Sequence, residues 1–175
     1  MSLKLLIADD EYFIRQRIKK IIPWEKLNLT FAGEAENGQQ VIDHLEKEPV
    51  DLLLLDIKMP QMNGIETARY IKEHFPSVHM LILSGYNDFE YARTVIRYGV
   101  KEYLLKPVAA EELERALSEC IQAIHFEEQT RHTLKHYEHF HLCSMLANIR
   151  DGVLSYSDLC VQHPEFENLA YSIYC

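Results

Sequence analysis

The stretch DLLLLDIKMPQMNG, residues 51–64, decides the fold. An aliphatic run such as 52–55, short and without polar alternation, is typical of a strand buried on both faces of a parallel sheet. Asp56 closes this run, and Gly64 precedes the next helical pattern after a loop that contains proline. The stretch therefore predicts a strand in the middle of an α/β sheet, with an acid at its carboxyl end.

The same alternation of short apolar runs and amphipathic helical patterns extends from residue 3 to about residue 124. It is typical of βαβ units around a mainly parallel sheet. The first helical pattern presents Phe13, Ile14, Ile18, Ile21 and Ile22 as its apolar residues. The predicted strands are 3–8, 29–34, 52–55, 78–83 and 102–105, and the predicted helices are 11–22, 38–47, 64–75, 88–98 and a fifth that starts after Pro107.

Length and composition exclude several classes of protein. The 175 residues suit one domain with an appendage, and 47% hydrophobic with 26% charged residues is typical of soluble globular chains. A net charge of -9 has the wrong sign for a protein that neutralises nucleic-acid phosphates. The apolar runs are too short to span a membrane, and four cysteines without close pairing indicate reduced thiols. We therefore predict a cytoplasmic protein.

The C-terminal third has a different pattern. Neither Pro nor Gly interrupts residues 108–151, so the last helix is expected to run on as a connector beyond the compact domain. We divide the chain into a domain at 1–124 and a helical linker at 125–175 that starts an incomplete output region. This linker holds three basic against seven acidic residues and no helix-turn-helix, so the chain looks cut short before its output domain.

Five polar residues fall at the predicted ends of strands, namely Asp9, Asp10, Asp56, Ser84 and Lys106. The carboxyl ends of parallel strands border the ligand crevice of an open sheet, so these side chains are expected to converge. Clustered carboxylates repel one another unless a cation intervenes, and their hard oxygen atoms suit Mg²⁺. The lysine and the serine hydroxyl would bind an anionic group beside the metal.

Such a site is equipped to attack a phosphoryl group, because the metal and the lysine absorb charge that develops on its oxygens. Asp56 is the candidate nucleophile since it ends the central strand. The adjacent Asp9 and Asp10 are better suited to holding the metal.

Four motifs in order resemble the receiver domains of two-component response regulators: IADDE at 7–11, LLLLDIKMPQMNG at 52–64, LILSGY at 81–86 and YLLKP at 103–107. The resemblance covers about residues 3–124. It implies a flavodoxin-like, CheY-like fold, which is a doubly wound, five-stranded parallel sheet of order 2-1-3-4-5 in three α/β/α layers. To this fold the chain adds its C-terminal helical extension.

The resemblance also implies a chemistry. Asp56 would accept a phosphoryl group from a phosphohistidine on a sensor histidine kinase. Asp10, Asp56 and the backbone carbonyl of Lys58 would bind Mg²⁺, and Asp9 would act mainly through water. Lys106 would contact the phosphoryl group, next to a cis peptide bond to the proline that follows it. The domain would act as a stoichiometric switch and not as an enzyme.

Ser84 and Tyr103 would form the switch pair in such a domain. Phosphorylation would draw the serine hydroxyl to the new oxygens and let the tyrosine rotate inward. This would bias the face formed by the helix at 88–98, the fifth strand and the last helix, through which similar proteins dimerise. Residues 83–108 resemble receivers of AraC-type transcriptional regulators, so DNA binding is expected only through an output domain absent from this chain.

Less specific interpretations stay open for single residues. Asp56 could cap a turn, Lys106 could be a solvated surface lysine, and Ser84 could serve turn chemistry. Tyr103 could be an ordinary half-buried strand residue. A zinc site is a further interpretation of a helix face that carries His132, His136, His139 and Cys143.

Two rival functions also remain. A Mg²⁺-dependent aspartyl phosphohydrolase would use a similar nucleophile, although it would normally have a second acid two residues later, where this chain has Lys58. A protein-interaction module on the same fold would not be phosphorylated. Labelling by a phosphodonor separates all three functions.

Overall fold

The computed structural model describes residues 2–85 and 97–150, without the side chains of 131, 132 and 134–150. Strands and helices alternate over residues 3–84, as the sequence predicts. The strands are β1 (Leu3–Ala8), β2 (Leu29–Ala35), β3 (Leu52–Asp56), β4 (His79–Ser84) and β5 (Glu102–Leu105), and the described helices are α1 (Tyr12–Ile21), α2 (Gly38–Leu45), α3 (Gly64–His74) and α4 (Ala110–Arg150).

The five strands form one sheet in the order β2-β1-β3-β4-β5, and every pair is parallel. This confirms the predicted flavodoxin-like order. Leu54 of β3 lies between Ile7 of β1 and Leu81 of β4, so β3 occupies the centre of the sheet. All four of its leucines are fully buried, which explains why the run shows no polar alternation.

Alternate residues of the central strands feed two apolar clusters. Leu52 and Leu54 belong to the cluster that includes α1 and the first turns of α4. Leu53 and Leu55 belong to the cluster that includes α2 and α3. Because successive side chains of a strand point to opposite faces, this division gives the predicted arrangement of helices on both sides of the sheet.

Some predictions about the elements need correction. The described strands end before Asp9 and before Lys106, so these residues follow their strands directly. The apolar face of α1 was predicted wrongly at Phe13, which is 84% exposed, whereas Arg15 is 2% exposed. Of the predicted helix at 88–98, residues 88–96 lie outside the described residues.

Helix α4 is continuous over 41 residues, as the absence of Pro and Gly predicts. Five of its apolar residues are buried, namely Leu113, Ala116, Leu117, Cys120 and Ile124, whereas residues 125–130 are exposed. The chain divides into two compact units, Met1–Ile124 and His125–Cys175. The linker and output roles of 125–175 stay predictions, as does the zinc site, whose side chains lie outside the described ones.

Candidate phosphoacceptor site

The predicted acids and lysine meet at the carboxyl edge of the sheet. Asp9 and Asp10 follow β1, Asp56 is the last residue of β3, and Lys106 follows β5. The Lys106 ammonium lies 2.6 Å from Asp9 Oδ2 and 2.9 Å from Asp56 Oδ1. Only 12% of its side chain is exposed, so it is not a solvated surface lysine. One cation therefore joins acids from two different strands.

Three carboxylates share this edge, and they present one oxygen each within 4.8 Å of one another. Asp9 and Asp56 are buried, and Asp10 is exposed. A single lysine offsets only one of these three negative charges. Hard oxygen donors with excess negative charge and one side open to water suit a divalent cation such as Mg²⁺. The residues present therefore fit the predicted metal.

The protonation behaviour of Asp56 reflects this crowding. Burial raises the pKa of Asp56 to about 6, against the opposing effects of the hydrogen bond and charge of Lys106. The charges of Asp9 and Asp10 make a smaller contribution to the same rise. Burial lowers the pKa of Lys106, but its bonds to both acids outweigh this effect, and the net pKa is raised. The lysine is therefore a permanent cation in the site.

The loop from β3 to α3 is held by close packing. The Lys58 N–H donates to Asp56 Oδ2 over 3.1 Å, and the Gly64 N–H donates to the carbonyl of Ile57 over 2.8 Å. A Cβ atom at Gly64 would lie 2.1 Å from the backbone oxygen of Asp56. Asn63 begins α3 with a reciprocal capping box. Glycine is therefore required at 64 to bring the helix against the acid.

The candidate switch residues lie on neighbouring strands. Ser84 is buried at the end of β4, and its carbonyl accepts a hydrogen bond from the Lys106 N–H over 2.7 Å. Tyr103 of β5 pairs with Ile82 and is half-buried against the same cluster as α3. The Lys106–Pro107 peptide bond is cis, as the resemblance implies.

An open cleft adjoins the exposed acid Asp10. It has a volume of about 420 Å³ and is lined in part by Asp10, Lys58, Pro60 and Asn63. The backbone of Lys58 thus stands at the edge of the site, where its carbonyl was predicted to bind the metal.

Sequence reasoning missed Arg15. Its buried guanidinium donates from Nη1 to the backbone carbonyl of Asp9 over 2.7 Å. The spacing of Arg15, Ile18 and Ile22 along one helix face was the available signal, since both isoleucines are buried. An apolar pattern predicts which apolar residues face the core, and it does not identify a buried basic residue among them.

Comparisons with known proteins agree with this geometry. A family model described as "Response regulator receiver domain" matches residues 5–118. The Bacillus subtilis transcriptional regulatory protein YesN is 34% identical over 161 residues, which cover 88% of this chain and 44% of YesN. The chain spans about half the length, or less, of the curated relatives it matches.

Solved structures show the same fold. The receiver domain of AraT, a response regulator from Geobacillus stearothermophilus, is 36% identical with a TM-score of 0.69, covering 73% of this chain and 99% of that one. RcsB from Salmonella enterica serovar Typhimurium, bound to the promoter rprA in the presence of the phosphomimetic BeF3⁻, is 29% identical with a TM-score of 0.61. That match covers 67% of each chain.

Proposed function

Because the chain belongs to the response regulator receiver domain family of two-component systems, we propose that Asp56 is its phosphoacceptor and that a sensor histidine kinase is its donor. The observation that carries the proposal is the convergence of two buried acids on one lysine, beside a third acid that is exposed. The rest of the site explains how the transfer is assisted.

In the transfer, a carboxylate oxygen of Asp56 forms a bond to phosphorus while the phosphorus–nitrogen bond to the donor imidazole breaks. The imidazole leaves with the electron pair and takes up a proton. Lys106, already 2.9 Å from Asp56, stabilises the charge on the phosphoryl oxygens. The Lys58 N–H at Oδ2 orients the carboxylate, so that it presents the same oxygen at each encounter.

Asp9, Asp10 and Asp56, with the backbone carbonyl of Lys58, are the proposed ligands of Mg²⁺, and Asp9 acts mainly through water. When bound, the cation would supply positive charge that offsets the three carboxylates and stabilises the transferred phosphoryl group. Removal of the cation by a chelator is therefore expected to stop labelling of Asp56.

The output is proposed to run through Ser84 and Tyr103 to the face that β5 and α4 help to form. Phosphorylation of Asp56 would favour a homodimer through this face. Helix α4 would carry the change toward residues 125–175. Similarity to transcriptional regulators supports a DNA-binding output, which would reside in sequence that this chain does not include.

A cytoplasmic location follows from the same proposal. None of the helices described within 2–85 and 97–150 combines the length and apolar character that a membrane crossing needs.

Labelling with acetyl phosphate and Mg²⁺ tests the proposal. Intact-mass measurement is expected to find one phosphoryl group per chain, and none in Asp56→Asn, whose side chain keeps its size but loses the nucleophilic oxygen. Inorganic phosphate should appear slowly and only after labelling. Continuous release at rates of about 1 per second or faster would indicate a phosphohydrolase instead.

The matched control is Asp51→Asn, because Asp51 lies at the opposite end of β3 and accepts a hydrogen bond from the Lys4 N–H. It should be labelled like the unmodified chain. A chain that takes no label and binds no beryllofluoride with Mg²⁺ would be an unphosphorylated interaction module. Size measurement with and without beryllofluoride tests the proposed dimer.

A further inference from the structure

Arg15 is a charged residue buried outside the group of acids and lysine described above. Burial of a guanidinium is costly unless hydrogen bonds and opposite charges compensate for it. Its position in the first turns of α1 places it next to the end of β1, where Asp9 and Asp10 follow. The free-energy cost of burying this guanidinium indicates that its contacts have a specific role.

The contacts of Arg15 reach two segments. Nη1 donates to the backbone carbonyl of Asp9 over 2.7 Å, and Nη2 donates to Glu36 Oε1 over 2.8 Å. Its Nε lies 3.5 Å from Glu34 Oε2. The planar guanidinium thus bridges the turn after β1 and the acids at the end of β2. A lysine has a single ammonium group, so it could not donate to both segments in this two-pronged geometry.

The carbonyl that Arg15 binds belongs to the peptide bond between Asp9 and Asp10. The Asp9 N–H donates to the carbonyl of Ala35 over 3.0 Å, and Asp9 Oδ1 accepts from the Glu11 N–H over 3.0 Å. Because the peptide group is planar, fixing its oxygen fixes the direction in which the chain continues to Asp10. Arg15 therefore helps to fix the backbone from which two of the three clustered carboxylates extend.

We propose that Arg15 is a positioning residue that holds the peptide bond between Asp9 and Asp10 so that both carboxylates can serve one divalent cation. This inference rests on the proposed function, since it concerns the same acids. Arg15 touches neither the phosphoryl group nor the metal. Its effect is therefore on metal affinity, with little effect on the transfer once the metal is saturating.

The test compares Arg15→Met and Arg15→Lys in the 175-residue chain. Mg²⁺ is titrated without any phosphodonor, and the amide NMR signals of Asp10 and Glu11 are followed. Loss of an outer contact to a metal ligand typically costs 10- to 100-fold in metal affinity, so Arg15→Met is expected to weaken Mg²⁺ binding by about tenfold or more. Arg15→Lys, which keeps the charge without the two-pronged geometry, should be weakened by about threefold.

Lys19→Met is the matched control. Lys19 lies on the same helix and pairs with Glu34 Oε2 at 3.7 Å, but this contact does not involve the peptide bond between Asp9 and Asp10. Its Mg²⁺ affinity should stay within about twofold of the unmodified chain, because the pair is only partly buried and lies away from the peptide bond between Asp9 and Asp10.

Labelling kinetics give a second measurement that a purely structural role would not change in this way. The Mg²⁺ concentration for half-maximal labelling by acetyl phosphate should rise in Arg15→Met, while the rate at saturating Mg²⁺ stays within about twofold. Partial unfolding would instead lower the labelled fraction at every Mg²⁺ concentration. If Arg15→Met does not fold, Arg15→Lys provides the same comparison.

Unchanged Mg²⁺ affinity in the folded Arg15 variants would overturn the inference, as would equal weakening in Lys19→Met. Failure of the proposed function looks different, because then the unmodified chain itself would neither bind Mg²⁺ nor take label. The two failures are therefore distinguishable in one set of titrations.

Discussion

Two segments bring acids to the same edge of the sheet, and they are held in different ways. The first acid segment, residues 9–11 after β1, is fixed by polar contacts from Arg15, Ala35 and Lys106. The second acid segment, residues 56–64 at the end of β3, also has polar contacts, but it depends in addition on the close approach of a glycine to the backbone of its acid. One substitution can remove a single polar contact and leave the others in place. An atom added at a close backbone contact instead forces the loop or the helix to shift. Substitution of the glycine in the second segment should therefore damage the fold, whereas loss of a polar contact to the first segment should change ligand binding.

Gly64→Ala is expected to have the largest effect. Its Cβ would lie 2.1 Å from the Asp56 backbone oxygen, so the loop or the helix must shift. Overpacking of this kind costs about 3 kcal/mol at the upper end of its usual range, and labelling should fall with it. Urea unfolding measures the stability. The control is Gly85→Ala, whose Cβ would meet no described residue within 4 Å, and equal stability of both variants would contradict the steric account.

The pH dependence of stability should isolate Asp56. Because its pKa rises from 3.8 unfolded to about 6 folded, the folded state binds the extra proton between these values. Without Mg²⁺, the contribution of Asp56 to the free energy of unfolding is therefore present below about pH 4. It is lost as the pH rises from about 4 to about 6, and the loss is up to about 3 kcal/mol. Subtracting the unfolding free energies of Asp56→Asn from those of the unmodified chain at each pH measures it. A difference that does not change with pH would show that burial and the neighbouring acids do not raise the pKa of Asp56 in the folded state.

The capping box of α3 offers a milder way to loosen the second segment. Asn63→Ala removes the side chain that accepts from the Ile65 and Glu66 N–H groups, and it should cost about 1 kcal/mol of stability. Asn63→Asp keeps an acceptor at that position and should retain most of the stability. Thermal unfolding in the absence of Mg²⁺ compares the two, and similar losses in both would assign the effect to something other than the cap.

Glu36→Gln should have the smallest effect, and it sharpens the role of the first segment. Glu36 pairs with Arg15, but 57% of its side chain is exposed, so the pair should contribute about 0.5 kcal/mol or less to stability. Since the bond from Arg15 to the Asp9 carbonyl remains, Mg²⁺ affinity should change less than twofold. A tenfold loss by the same NMR titration would mean that the pair with Glu36, and not the guanidinium alone, holds the first segment.

The sequence predicted the second segment better than the first. The four leucines of β3 carry enough apolar character to identify a central strand, and an acid and a glycine at its end identify the loop. The convergence of Asp9 and Lys106 on Asp56 also followed from parallel topology. These predictions depend on the positions of the strand ends, which local patterns indicate, and on the strand order, which the family resemblance implies.

The burial of Arg15 could not be predicted in the same way, because its partners at Asp9 and Glu36 meet it only after β1 and β2 have paired. The prediction that Phe13 belongs to the buried face of α1 was wrong for a related reason. Its apolar side chain suits a core, but the direction in which α1 faces the sheet leaves it exposed. Contacts between distant segments decide both residues, and single-sequence periodicity does not contain them.

The identity of the labelled residue tests the central claim most directly. After reaction with acetyl phosphate and Mg²⁺, borohydride reduction converts a phosphorylated aspartate to homoserine, which peptide mass spectrometry can locate. The account predicts homoserine at position 56 alone, with none at 9 or 10 and none when Mg²⁺ is removed. Homoserine at position 9 or 10, or labelling that persists without the metal, would contradict it.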